Sequence, residues 1–151
     1  HQLVVPQNQR EYSWEARQVK QLITDLSKAI SDTELGYFLG TIVTIPRKND
    51  TLEVVDGQQR LATTALLLSA IRDYLKGKEI YIVESIDNEF LTGIDRTRRA
   101  RIPKLQLNLD DNDLFSWILT GEGGSQPDIK VDSHNRLCPP TAHTQTPRTQ
   151  Q

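Results

Sequence analysis

Five consecutive residues, Asp56-Gly57-Gln58-Gln59-Arg60, set an acid, a glycine, two primary amides and a permanent cation between a β-branched run ending at Val55 and a long apolar run beginning at Leu61. Where a strand ends in a glycine turn and a helix follows at once, backbone N–H groups and the positive end of the helix dipole converge on one spot, which suits a phosphate. Gly57 lets a ligand approach the backbone closely. Gln58 and Gln59 add amide donors, Arg60 adds a forked charge matched to phosphate oxygens, and Asp56 can hold Mg²⁺ or orient a water. The same five residues also make an ordinary helix start, with Asp56 as N-cap, Gly57 easing the turn and Arg60 in a surface ion pair. On local chemistry alone the two readings weigh evenly.

Three other groups invite a chemical reading. Tyr12 and Trp14 have faces on which a base can stack, but an aromatic pair ahead of a helix more often packs as a staple, and that reading is preferred. Arg96, Arg98, Arg99, Arg101 and Lys104 form a dense basic run, suited to DNA phosphates or a partner's acidic face, or equally to a solvated loop paired with Asp110, Asp111 and Asp113. His134, Cys138 and His143 share no ligand spacing, so no metal cluster is expected of them.

The elements that must position the box are legible in the surrounding pattern. Residues 3–6 read as a short extended segment, because Pro6 disfavours helix before it. Ser13 reads as the N-cap of a first helix with Glu15 in its first turn, and Val19, Leu22, Ile23, Leu26 and Ile30 predict one apolar stripe against a core. Residues 37–45 and 51–55, joined by Pro46-Arg47-Lys48-Asn49-Asp50, predict a β-hairpin. Residues 61–75 are apolar on nearly every face and predict a helix buried in mid-domain, with Arg72 and Lys76 near its end where cations favour the dipole. Residues 80–86 fit a strand or a helix. Leu105, Leu107 and Leu109 alternate as in a strand, and Asp111 or Asn112 is the candidate cap of a last helix through Leu114, Phe115, Ile118 and Leu119.

These elements sum to an α+β domain over residues 1–120, followed at 121–151 by a flexible or disordered tail, since Pro139, Pro140 and Pro147 stand in polar sequence with no apolar face to dock. The 151 residues carry a formal net charge of −2, so any contact with nucleic acid must be local. One cysteine excludes an internal disulfide, no apolar run reaches the roughly 18 to 20 residues that span a bilayer, and a soluble cytoplasmic protein is expected. No methionine opens the chain, so His1 reads as an internal start, and the abrupt change of composition at Cys138 reads as a truncated or altered end.

In order and spacing, Val5-Pro6-Gln7-Asn8-Gln9-Arg10-Glu11-Tyr12-Ser13-Trp14, Tyr37-Phe38-Leu39-Gly40-Thr41-Ile42-Val43 and the Asp-Gly-Gln-Gln-Arg box resemble the N-terminal domain of GmrSD-type restriction endonucleases. A weaker likeness continues through residues 103–108 and 111–115 to about Leu137. The resemblance implies a ParB/sulfiredoxin-like fold in which Asp56, Gly57, Gln58, Gln59 and Arg60 form a phosphate and hydrolysis site at the helix N-terminus. It further implies that Gln9 and Arg10 fold over the same ligand, and that Gly40 lets the first hairpin strand approach closely. The implied function is a regulatory NTPase of a DNA-restriction or phage-defence system, using a nucleoside triphosphate and Mg²⁺ and serving a separate or C-terminal nuclease domain that this chain lacks. Two alternatives stand beside it: a non-catalytic sensor of a nucleotide or of modified DNA, and a ParB-like nuclease built on Asp56, against which the scarcity of paired acids near the box counts. The sequence departs from the family at Asn8, where many relatives carry an aromatic, and at Ala62, where they carry a threonine.

Overall fold

The computed structural model describes residues 1–9, 12–32, 36–95, 99–121, 130–131 and 137–138. Its main sheet has the order β2-β3-β1-β6, in which β1 (Gln2–Val4) runs parallel to both β3 (Thr51–Asp56) and β6 (Leu105–Gln106), while β2 (Val43–Pro46) pairs antiparallel with β3. The opening segment is therefore an inner strand. Val5 closes its ladder by donating to Gln106 O at 2.9 Å, and Pro6, with no N–H, cannot extend it.

The expected hairpin forms, but its first strand starts at Val43 rather than at residue 37. Gly40 has φ +103°, a left-handed conformation that takes the chain out of any ladder before residue 43. At the hairpin turn Asn49 and Asp50 have φ of 60° and 58°, a region that short polar side chains tolerate, and Arg47 N–H bonds to Thr51 O at 2.8 Å.

The helix α1 (Ala16–Ser31) is capped by Glu15, whose N–H donates to Gln18 Oε1 at 3.2 Å, so Ser13 is not the N-cap and Glu15 lies just outside the first turn. Its apolar stripe meets the body less than expected. Leu22 is buried, whereas Ile23 is 44% and Ile30 79% exposed. Helical spacing says which face is apolar, not whether another element covers it.

The helix α2 (Gln58–Leu75) is present as expected, yet its buried positions are Ala62, Thr63, Ser69 and Arg72, while Ala70 and Ile71 face solvent. Thr63 and Ser69 can be buried because each hydroxyl bonds back to the carbonyl four residues earlier, at 2.8 and 2.9 Å. Residues 80–86 resolve as helix: α3 (Ile80–Ser85) runs into a π-helical turn, Ile86–Leu91. A second hairpin follows, β4 (Thr92–Asp95) with β5 (Ala100–Pro103), which the basic sequence between them conceals from a period-2 reading. In α4 (Leu109–Thr120) the N-cap is Asn108, three to four residues before the expected caps, and Asn112 Oδ1 accepts the N–H of Leu107 at 3.2 Å. Leu109 belongs to that helix rather than to a strand.

The core lies between the sheet and the helices: Val5 and Val54 meet Ala62 of α2, Leu91 of the π-helical turn, and Phe115 and Leu119 of α4. Val54 and Leu119 are 0% exposed, and complete burial of such a side chain is worth about 1.5–3 kcal/mol. Arg72, read from the sequence as a cation near the helix end that favours the dipole, sits inside at 1% exposure. It donates to Asp73 Oδ1 and Asp87 Oδ1, each at 3.0 Å, and to the carbonyls of Ile118 and Leu119. Those carbonyls belong to the last turn of α4, so one guanidinium ties α2, the π-helical turn and the α4 C-terminus together. Gly121 closes α4 with φ +60°, its N–H on Trp117 O at 3.2 Å.

The α+β class is thus observed. Within 121–151 the described residues beyond Gly121 are an antiparallel pair, β7 (Lys130–Val131) with β8 (Leu137–Cys138), and the rest of the segment expected as a tail lies outside the described residues.

Candidate functional site

A bulge prepares the box. Between Val43 and Thr44 the β2–β3 register shifts, Val43 facing Asp56 and Thr44 facing Val54, so that β3 passes an additional residue, Val55, immediately before its end. Such a bulge bends and twists a strand and re-aims the side chain after it, here Asp56. Gly57 then follows at φ +90°, ψ 6° as the N-cap of α2, the place the plain helix-start reading gives to Asp56. A Cβ at Gly57 would lie 3.0 Å from Thr41 O and 3.1 Å from Ile42 Cγ1, so both its φ and its packing require glycine. The first bond of the α2 ladder runs from Leu61 N–H to Gly57 O at 3.0 Å, and the amides of the first turn point out along the helix axis beside the box side chains.

Arg60 is oriented by residues outside the box. Its Nη1 donates to Leu39 O at 3.1 Å, and its Nη2 stands 4.0 Å from Asp56 Oδ2. With side chains 30% and 69% exposed, that ion pair is weak and leaves the guanidinium charge available to a ligand. Gly40 makes the arrangement possible: a Cβ there would fall 1.4 Å from Arg60 Nη1. The close approach expected at Gly40 is therefore to the arginine, not between hairpin strands.

The N-terminal loop is pinned beside the same turn. Gln9 Nε2 donates to Val55 O at 3.2 Å, Ser13 N–H to Gln59 Oε1 at 2.9 Å, and the Tyr12 hydroxyl bonds Thr63 Oγ1 at 2.8 Å. Between loop and turn lies a cleft of about 270 Å³, bounded on one side by Gln9 and Trp14 and on the other by Asp56, Gly57 and Arg60. Gln58 and Gln59 also border it. The structure thus gathers Gln9 with all five box residues; Arg10 lies outside the described residues. Trp14, whose stacking face the sequence offers but which is set aside there as a staple, borders the cleft, while Tyr12 docks on the core.

Among the described residues no group of three His, Cys, Asp or Glu gathers to hold a metal ion. Asp56 is the carboxylate at the cleft, so Mg²⁺ fits there only with phosphate oxygens completing its shell, which is how that ion is commonly held. His134 and His143 lie outside the described residues. In the basic run, Arg101 donates to Asn88 Oδ1 at 2.9 Å and Lys104 Nζ to the carbonyls of Asn88 and Glu89 at 2.8 and 2.7 Å, so both serve the end of the π-helical turn. Arg99 is exposed, and Arg96 and Arg98 lie outside the described residues. No described helix is long and apolar enough to cross a membrane.

The fold is an α+β domain in which a glycine turn opens a helix beside a polar cleft. The family described as "GmrSD restriction endonuclease, N-terminal domain" matches residues 1–145, and the chain belongs to that family. Membership ties it to a restriction system, and the match runs through most of the segment beyond Thr120. No curated protein matches the chain.

Proposed function

We propose that this chain is the nucleotide-binding and hydrolysing regulatory domain of a restriction system, with a ParB-like arrangement of strand, glycine turn and helix. The observation that carries the reading is the cleft in which the first turn of α2, Arg60 and Asp56 face the pinned N-terminal loop. A nucleoside triphosphate would lay its phosphates at the helix N-terminus, where amide donors and the dipole favour negative charge. Arg60 supplies a charge that cannot titrate and strengthens its contact as charge builds on the transferred phosphoryl oxygens. Asp56 orients the attacking water; Mg²⁺, held by Asp56 and the phosphates, would offset phosphate charge. Gln58, Gln59, Gln9 and Arg10 complete the set of ligand contacts. The product signal passes to a nuclease domain or subunit, and cleavage of DNA is not a task of this chain. Residues 1–120 carry the site, and deleting residues 138–151 should leave the melting temperature nearly unchanged.

The test is phosphate release from ATP, GTP, CTP and UTP in Mg²⁺. Wild type should turn over at least one of them, and Asp56→Asn should lose turnover while keeping binding. Binding without turnover in wild type would instead favour the sensor reading, to which Asp56 as the single carboxylate among the described residues of the cleft lends weight. Metal-dependent nicking of plasmid DNA that vanishes in Asp56→Ala would assign cleavage to this chain and overturn the division of labour.

A further inference from the structure

The two aromatic side chains of the N-terminal loop part company. Tyr12 is committed inward, its ring against the core and its hydroxyl on Thr63 Oγ1 at 2.8 Å. Trp14 is half-buried and forms a wall of the cleft that Asp56, Gly57 and Arg60 face. Trp14, directly before the Glu15 cap, borders the cleft as well as the start of α1. Polar groups beside the indole are occupied in holding the loop: Ser13 N–H bonds Gln59 Oε1 at 2.9 Å, and Gln9 Nε2 bonds Val55 O at 3.2 Å. That wall therefore offers a π face more than edge-reading hydrogen bonds. The cleft, about 270 Å³, approaches the roughly 300–1,000 Å³ of small-molecule sites, more than a phosphate group alone would fill.

We infer that Trp14 is the platform on which the base of the bound nucleotide stacks, so that the site takes nucleoside phosphates in preference to base-free phosphates and discriminates little among bases. Every base has a π face, and stacking on an aromatic side chain is tolerant of base identity for that reason. The inference rests on the phosphate reading of the box.

Calorimetric titration of the 151-residue chain with ATP, UTP and inorganic tripolyphosphate tests it. ATP should bind roughly 5- to 100-fold tighter than tripolyphosphate, the span that one base–aromatic stack commands, with UTP between them. Trp14→Ala should erase most of that difference and leave tripolyphosphate binding unchanged. Trp14→Leu keeps apolar bulk for the fold and should bind like Trp14→Ala, so a misfolded alanine variant does not decide the matter. Quenching of tryptophan fluorescence by ATP should survive Trp117→Phe and disappear in Trp14→Phe. Equal affinity of wild type for ATP and tripolyphosphate, or wild-type ATP affinity in Trp14→Leu, overturns stacking while the phosphate site stands. Failure of wild type to bind any of the three removes the phosphate site and the stacking inference with it.

Discussion

Arg60 is held by a backbone carbonyl on one side and a distant, solvated carboxylate on the other, so its contribution to the fold is small and its charge is at the disposal of a ligand. Arg60→Ala is expected to weaken nucleotide binding about ten- to a hundredfold, the worth of a charge-assisted hydrogen bond of about 1.5–3 kcal/mol, while the melting temperature falls by only a few degrees. Arg60→Lys restores charge without the fork, and titration should place its affinity between the two. Gly40→Ala acts on the same side chain. Its Cβ would occupy the position of Arg60 Nη1, and its φ of +103° is strained for alanine, costing about 1 kcal/mol or more. A double-mutant cycle should find the binding losses of Gly40→Ala and Arg60→Ala far from additive, because both displace one guanidinium. Additive losses would mean that Gly40 acts on the site by another route.

At the scale of elements, Arg72 joins three of them. Arg72→Ala takes from Asp87, whose side chain is 14% exposed, the nearer of its two arginine partners, leaving Arg101 at 3.7 Å, and removes the donors from two α4 carbonyls, so a loss of about 3–5 kcal/mol is expected in urea unfolding. Burial alone would raise the Asp73 carboxyl, but the hydrogen bonds from Arg72 and Lys76 outweigh it and hold the group below its ordinary 3.8. A depressed folded pKa gives stability that is present above the unfolded value and lost as pH falls through the folded one. Acid unfolding should therefore steepen below about pH 3.8, and Asp73→Asn should flatten that limb in a series of melting temperatures against pH. None of this network was legible in the sequence. Arg72 stands where a solvated cation is ordinary, and only the fold brings Asp87 and the end of α4 to it. The long α2 run, the hairpin and the box, by contrast, announce themselves because periodicity and turn chemistry are local properties. The α1 stripe and the residues before Val43 were over-read for the complementary reason: apolar pattern is local, but its coverage is not. At the cleft, the box was visible as a motif and Gly40 and Trp14 were named, but the Leu39 carbonyl, the fit of Gly40 against Arg60 and the place of Trp14 in the cleft rest on contacts between distant segments.

In the molecule as a whole, a sheet whose inner strand is the first segment of the chain leads to a helix whose N-terminus opens on a cleft. The bulge at Val55, the left-handed Gly57 and the pinned N-terminal loop all serve one geometry, and family membership sets that geometry in a restriction system. If the cleft is a nucleotide site, a ligand that binds only the folded state must stabilise the entire domain by mass action. The most direct measurement is the melting temperature of the 151-residue chain in Mg²⁺ with ATP, GTP, CTP or UTP, beside Arg60→Ala. At about 100 times its Kd a nucleotide adds about 2.7 kcal/mol, which for a domain of this size raises the melting temperature by about 5–10 °C. That rise is expected for at least one nucleotide in wild type, and a much smaller one in Arg60→Ala. No rise with any of the four, or an equal rise in Arg60→Ala, would contradict the nucleotide site.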